Sequence, residues 1–291
     1  MSRRFAFDNV STLQKSEEIE MSERIKVTKS EGVADVKLVR SDKMNALDEA
    51  MFSALIETSD ALSKDSSVRC VVLSGEGRAF CAGLDMGNFG KMAEGSAGDP
   101  ASGGKRVLAE RTHGIANRAQ QAVWGWRSLP VPVIAAVHGV SLGGGFQLAL
   151  GPDIRIVHPD TKMSIMEIKW GLVPDMAGTA IMRNLCRDDI LRELTYTGRI
   201  FSGTDALGYG FATELSDTPY ERAMEMARLI ASKNPDAIKA DKHIFNTLHQ
   251  MSDEDALVQE SVLQDKIIGS KNQIEAVMAE LQKRPAVFED C

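Results

Sequence analysis

The stretch VHGVSLGGGFQLALGPDIRIV, residues 137–157, carries the reading of the fold. Its three consecutive glycines, Gly143, Gly144 and Gly145, stand directly before one apolar run, and a second, DIRIV, follows a Gly-Pro break. With PVIAAV upstream, the order is a strand covered on both faces, a short helix at 143–150 and another strand. That is the repeat of an α/β fold with right-handed crossovers. Glycines entering a helix expose backbone N–H groups with no side chain in front of them, so such a place accepts negative charge.

Common glycine-rich signatures do not fit. Leu148 stands three positions after Gly145, where a dinucleotide fingerprint needs a small residue, and no Gly-Lys-Ser/Thr follows as a Walker loop requires. Ser141, with His138 nearby, offers a hydrolytic nucleophile instead, and a tight helix–strand contact offers a third explanation of the glycines. A second loop of the same character, GRAFCAGLDM at 77–86, follows the apolar run VRCVVLSG. If the fold brings the two loops together, two backbone N–H groups converge on one point and form an oxyanion hole.

Working outward, alternation over residues 25–39 broken at Glu31-Gly32 predicts a hairpin, and apolar spacing predicts a helix over 48–62. VRCVVLSG and KMSIM read as further strands, and helices are predicted at about 105–127 and 177–187. After Gly203 the strand signals end, and four successive segments beginning with TPYERAMEMARLIASK carry helical spacing. The expected organisation is therefore a flexible extension over 1–20, a core over 21–205 and a helical subdomain over 206–291. GNFGKMAEGSAGDPASGGK, residues 87–105, has no periodicity and reads as a loop long enough to act as a lid.

At 291 residues and 43% apolar, the chain is of ordinary globular composition. A formal charge of −7 leaves no broad basic surface for nucleic acid or an anionic membrane. Cys70, Cys81, Cys186 and Cys291 lack the spacing of a zinc site or a disulfide framework and point to a reducing compartment. No apolar run reaches the ~18 residues of a membrane span. Arg3 and Arg4 suggest an organelle presequence, but Glu17, Glu18 and Glu20 follow too soon, so the expectation is a cytoplasmic protein.

Six segments together resemble the crotonase superfamily, the enoyl-CoA hydratase/isomerase family: RSDKMNALDEAM (40–51), GRAFCAGLD (77–85), PVIAAVHGVSLGGGFQLAL (132–150), DIRIV, EIKWGLVPDMAGT (167–179) and TGRIFSGTDALGYGFATEL (197–215). The resemblance implies a spiral of β-β-α turns forming two sheets, with carboxyl-terminal helices that build a homotrimer or a hexamer. It implies an acyl-CoA thioester substrate, coenzyme A arriving as part of that substrate, and no metal or redox cofactor. The N–H groups of Leu84 and Gly144 would be the oxyanion donors, with Ala82, Asp85 and Gly143 beside the substrate. Arg40, Lys43 and Lys283 would meet the coenzyme A moiety.

By the same resemblance, hydratases hold a water between two glutamates twenty positions apart. Here the first position is Gln147, which exchanges no proton near neutral pH, and the second is Glu167. Asp175, eight positions beyond Glu167, matches the Glu/Asp spacing of dienoyl-CoA isomerases, although it could equally cap the helix that follows. The expected activity is a double-bond shift by proton transfer with Glu167 and Asp175. Alternatives are hydration of a 2-enoyl thioester with Gln147 positioning water, a silent CoA-binding protein, and a hydrolase using Ser141. Met166, Trp124 and Trp126 are candidate walls of the acyl pocket.

Overall fold

The structure, a computed structural model, describes residues 17–20, 22–87 and 108–291. Seven strands form the main sheet in the order β1 (Glu17–Glu20), β2 (Ile25–Ser30), β3 (Val33–Leu38), β4 (Cys70–Gly75), β5 (Val133–Val137), β7 (Ile154–Val157) and β9 (Glu214–Leu215). The first three pair antiparallel and the rest parallel. A second, two-stranded sheet pairs β6 (Val140–Leu142) with β8 (Lys162–Ser164) in parallel. The mixed α/β architecture expected from the sequence is thus present, with one exception at the start. Glu17–Glu20 pair with Lys26–Lys29, so the sheet begins before Met21.

Period-two alternation sorts the main sheet's side chains between two cores. Val71, Leu73, Val133, Ala135 and Val137 face the larger one, which holds Trp126, Phe80, Phe146 and Phe211. Val33, Cys70, Val72, Ile134, Ala136 and Ile156 face the other, where Ala223, Ala227 and Ala231 form a stripe of small residues along helix Pro219–Ala231. Each fully buried Val, Leu or Ile contributes about 1.5–3 kcal/mol, so a β5 apolar along its whole length is what covering both faces requires. No described helix is long and apolar enough to cross a membrane.

Helix α1 (Glu49–Leu62) starts where expected because Asp48 accepts from the N–H of Met51 at 2.8 Å. The helix expected at 105–127 is shorter. Residues 108–117 fold into turns, and α2 (Arg118–Ser128) begins only after Asn117, whose side chain and that of Gln120 form a capping box. Residues 88–107, which include nearly all of the expected lid, lie outside the described residues. The helix expected at 177–187 is shorter, ending at Met182 (Gly178–Met182), and a further helix, Asp188–Thr197, starts beyond the expected range. Beyond Gly203 one short strand, β9, still joins the sheet, and the boundary at 205 falls inside helix Gly203–Tyr209. The four late helices, Pro219–Ala231, Pro235–Thr247, Asp253–Ile267 and Lys271–Gln282, fall where their spacing puts them.

Candidate active site

The loops after β4 and β5 lie side by side. Phe80 N donates to His138 O at 2.9 Å, Cys81 N to Val140 O at 3.1 Å, and Leu142 N to Cys81 O at 3.2 Å. This laces residues 80–81 to β6 and delivers Gly83 to the glycine run: a Cβ on Gly83 would collide with Leu142 O and lie 3.5 Å from Gly144 N. A third segment frames both loops. Leu47 N donates to Gly83 O (2.8 Å) and Asp85 N to Leu47 O (3.1 Å), so the peptide groups on either side of Leu84 face Leu47 and the Leu84 N–H faces the other way. Among the described residues neither the Leu84 N–H nor the Gly144 N–H has a hydrogen-bond partner.

Each glycine of the run is required for its own reason. Gly143 has φ 52° and ψ −120°, a backbone conformation that side-chain-bearing residues rarely adopt. A Cβ on Gly144 would lie 2.8 Å from Met176 Sδ and 3.0 Å from Leu47 Cδ1, and one on Gly145 would strike the carbonyl oxygen of Cys81. The protein's own chain therefore explains Gly145, and a side chain at 144 would crowd the place where the N–H is offered.

Across this run sits Glu167, buried at the start of the 3-10 turn Glu167–Trp170, with Oε1 3.6 Å from the Cβ position of Gly143. Gln147, on helix Gly144–Leu150, donates from Nε2 to Glu167 Oε1 at 2.6 Å. Its Oε1 accepts from the N–H groups of Met176 (2.9 Å) and Gly178 (3.0 Å). Two backbone donors on one side fix the orientation of the amide, so its N–H can only face Glu167. Glu167 Oε2 is buried and unpartnered among the described residues. Burial pushes the Glu167 carboxyl above the ordinary carboxylate range, and the charge of Asp175 adds to the rise. Hydrogen bonds from its own N–H and from Gln147 oppose it.

Asp175 lies on the exposed loop before helix Gly178–Met182, close enough for its charge to act on Glu167. It does not cap that helix. The cap position is Ala177, in the left-handed region at φ 66° with no side-chain bond. Met166 borders the same space, its Cβ 3.9 Å from the Cβ position of Gly143. Trp126 is fully buried in the main core and Trp124 packs against it.

The other expected residues separate. Ala82 N donates to Met44 O at 2.9 Å, tying the 77–86 loop to residues 40–48. Asp85 and Arg40 form an ion pair at 2.7 Å. Lys43 is exposed on the turn Ser41–Lys43, and Lys283 is the exposed, left-handed C-cap of helix Lys271–Gln282. Residues 139–143 do spell the Gly-x-Ser-x-Gly of a nucleophile elbow. Yet Ser141 is buried and donates to Gly145 O (3.2 Å), while His138 Nε2 pairs with Gly77 O (2.9 Å), so no nucleophile–base pair forms.

Sequence reasoning passed over Asn45. Fully buried at φ 54°, it donates from Nδ2 to the carbonyls of Glu76 (3.1 Å), Ala79 (2.9 Å) and Phe80 (3.2 Å), and so anchors the 77–86 loop. Its signal is an asparagine two positions after the charged turn Ser41–Lys43, a residue type that tolerates the left-handed region.

A profile of the family described as enoyl-CoA hydratase/isomerase matches residues 28–291. Mouse mitochondrial methylglutaconyl-CoA hydratase is 28% identical over 281 residues, covering 93% of this chain and 85% of the relative. Mouse mitochondrial Δ(3,5)-Δ(2,4)-dienoyl-CoA isomerase is 29% identical over 268 residues, covering 90% and 80%. Among solved structures, the enoyl-CoA hydratase of Bacillus anthracis superposes with a TM-score of 0.80 at 26% identity, covering 91% of this chain and 99% of that one.

Proposed function

The chain belongs to the enoyl-CoA hydratase/isomerase family, and on that premise we propose that it moves double bonds within enoyl- or dienoyl-CoA thioesters. With the thioester oxygen at the N–H groups of Leu84 and Gly144, Glu167 Oε2 takes a proton from the acyl chain. The released electron pair runs into the carbonyl, and the oxyanion donors stabilise the enolate. Reprotonation at a more distant carbon, by Glu167 returning its proton, or by Asp175 after it has taken a proton from solvent with Glu167 then releasing its own to solvent, moves the double bond and leaves the composition unchanged. The observation that carries this reading is the Gln147 amide. It stands twenty positions before Glu167, is committed to three hydrogen bonds, and leaves a single carboxylate where a two-glutamate water site needs a pair.

The likeness to a methylglutaconyl-CoA hydratase favours a second reading, addition of water to a 2-enoyl thioester. Mass spectrometry in heavy water with 2-enoyl-, 3-enoyl- and 3,5-dienoyl-CoA separates the two. Isomerisation gives products that differ from substrate only by deuterium, and Glu167→Gln stops it; catalytic gain of one water overturns the proposal. We further propose a cytoplasmic homotrimer or hexamer that needs no added cofactor. Supporting the assembly, Phe245, Leu257, Val258, Ile274 and Leu281 are exposed on the late helices.

A further inference from the structure

We propose that Arg40 is a positioning residue that latches the Leu84 oxyanion donor and neutralises the carboxylate beside it. The inference rests on the assignment of Leu84 and Gly144 as oxyanion donors. A chain of alternating charges runs along the frame that carries the first loop. Arg24 at the head of β2 donates to both oxygens of Asp48 (Nε at 3.3 and 3.2 Å, Nη2 at 3.0 Å). Asp48 caps α1 and lies 3.5 Å from Arg40 Nη1. Arg40 Nη1 in turn donates to Asp85 Oδ2 at 2.7 Å and to Ala46 O at 3.0 Å. Asp85 also accepts from the Gly87 N–H at 2.8 Å.

Two consequences follow from this wiring. The first is geometric. The peptide that carries the Leu84 N–H is held at its carbonyl, Gly83 O, by Leu47 N. The next peptide is held at the Asp85 N–H by Leu47 O, with the Asp85 side chain tied to Arg40, so both peptides flanking Leu84 are anchored and Arg40 secures the downstream one. The second is electrostatic. The Gly87 N–H, and then Arg40, hold the Asp85 carboxyl below the ordinary carboxylate range, so it is ionised at neutral pH. A bare carboxylate one residue from the donor opposes the negative charge that grows on the thioester oxygen, whereas a carboxylate paired at 2.7 Å presents mainly a dipole. Arg40 thus belongs to the alignment of the oxyanion hole, and its Nη1 is committed to protein oxygens.

The test uses the full chain and butanoyl-CoA labelled with carbon-13 at the thioester carbonyl, a saturated probe with no double bond to move. Difference infrared spectroscopy reads the carbonyl stretch in the bound state, and steady-state kinetics with a turned-over thioester reads kcat and KM separately. The wild-type protein is expected to lower the stretch. Arg40→Gln abolishes most of that lowering and cuts kcat about 10- to 100-fold, the cost of a donor misplaced by an ångström or less, with KM within about twofold. Adding Asp85→Asn to Arg40→Gln removes the uncompensated charge and recovers part of both. Asp85→Asn alone keeps an oxygen facing Arg40 and leaves no bare anion, so it reports even where Arg40→Gln does not fold; kcat falls about 3- to 10-fold at constant KM. Arg40→Gln or Asp85→Asn with wild-type kcat and stretch overturns the latch while leaving the donors assigned, as does a change confined to KM. A wild-type protein that binds the probe without lowering its stretch overturns the donor assignment, and the latch with it.

Discussion

Replacing Gln147 by glutamate puts the proton-transfer reading to its sharpest test. The amide now donates to Glu167 Oε1 at 2.6 Å, while its own oxygen is held by the Met176 and Gly178 N–H groups. A carboxylate in its place still accepts those two backbone bonds but meets Glu167 oxygen to oxygen. At that distance, with an effective dielectric constant near 20, the repulsion between two ionised groups is about 6 kcal/mol, equivalent to more than about 4 pK units. The pair therefore retains one proton at neutral pH and titrates as a unit. The introduced carboxylate, with two N–H donors, takes the negative charge, and Glu167, already raised by burial, takes the proton. In Q147E the base of the proposed isomerisation is thus protonated. Isomerisation near pH 7 should fall by a factor approaching about 10⁴, with recovery as the pH is raised, while the new acid–base pair gains the arrangement that adds water. The assay is the pH dependence of kcat/KM for double-bond movement, run beside mass detection of hydrated product from a 2-enoyl thioester. Wild-type isomerisation with an unshifted pH profile in Q147E refutes Glu167 as the base.

Three further outcomes are expected. Glu167→Gln lowers turnover by about 10²- to 10⁴-fold with acyl-CoA binding retained, as isothermal titration calorimetry checks. Because folding raises the Glu167 pKa, the folded chain holds a proton that the unfolded chain releases, and the wild type loses stability as pH rises through the window between the unfolded value and the raised folded one. E167Q should therefore match the wild type in acid and melt higher above that window, and a melting difference independent of pH contradicts the raised pKa. Gly145→Ala drives a methyl against the Cys81 carbonyl and separates the two loops; a loss of about 1–3 kcal/mol in denaturant unfolding is expected together with loss of turnover, and an unaffected variant shows that the loops are looser than described. Asn45→Ala leaves three carbonyls without their donor and places alanine at positive φ, a cost of about 2–4 kcal/mol that chemical denaturation measures; a loss below about 0.5 kcal/mol removes Asn45 as the anchor.

How far the sequence could be read depended on the range of the interaction concerned. VIAAV and CVVLSG announced buried strands because burial on both faces leaves a continuous apolar run, and α1 was visible from its spacing and from Asp48. Glu167 and Gln147 could be paired in advance through their spacing in a family pattern, but the direction of the amide could not. It depends on the Met176 and Gly178 N–H groups, some thirty positions away, which reach Gln147 only after the chain has folded. Asp175 read equally well as a cap, and only the left-handed Ala177 excludes it. The ion chain from Arg24 to Asp85 was hidden for the same reason: its members come from β2, the head of α1 and two loops, and no local pattern of charge connects them. β9, only two residues long, has too little alternation to be seen at all.

The asymmetry of the Glu167 carboxylate connects these observations to the direction of the chemistry. Oε1 is bound to an amide that cannot change its protonation, whereas Oε2 is buried with no partner among the described residues. An incoming proton therefore goes to Oε2, because protonating Oε1 would sacrifice the 2.6 Å bond and leave the Gln147 N–H buried without an acceptor. In the proposed isomerisation the same constraint would fix the face of the acyl chain that exchanges protons with Glu167, since the carboxylate cannot rotate without breaking that bond. A hydratase-like pair would lose this asymmetry, as two carboxylates exchange the roles of donor and acceptor through one shared proton. Substituting an amide for one of them keeps the geometry and removes the second proton, which is the condition for a single carboxylate to lift a proton from one carbon and return it to another.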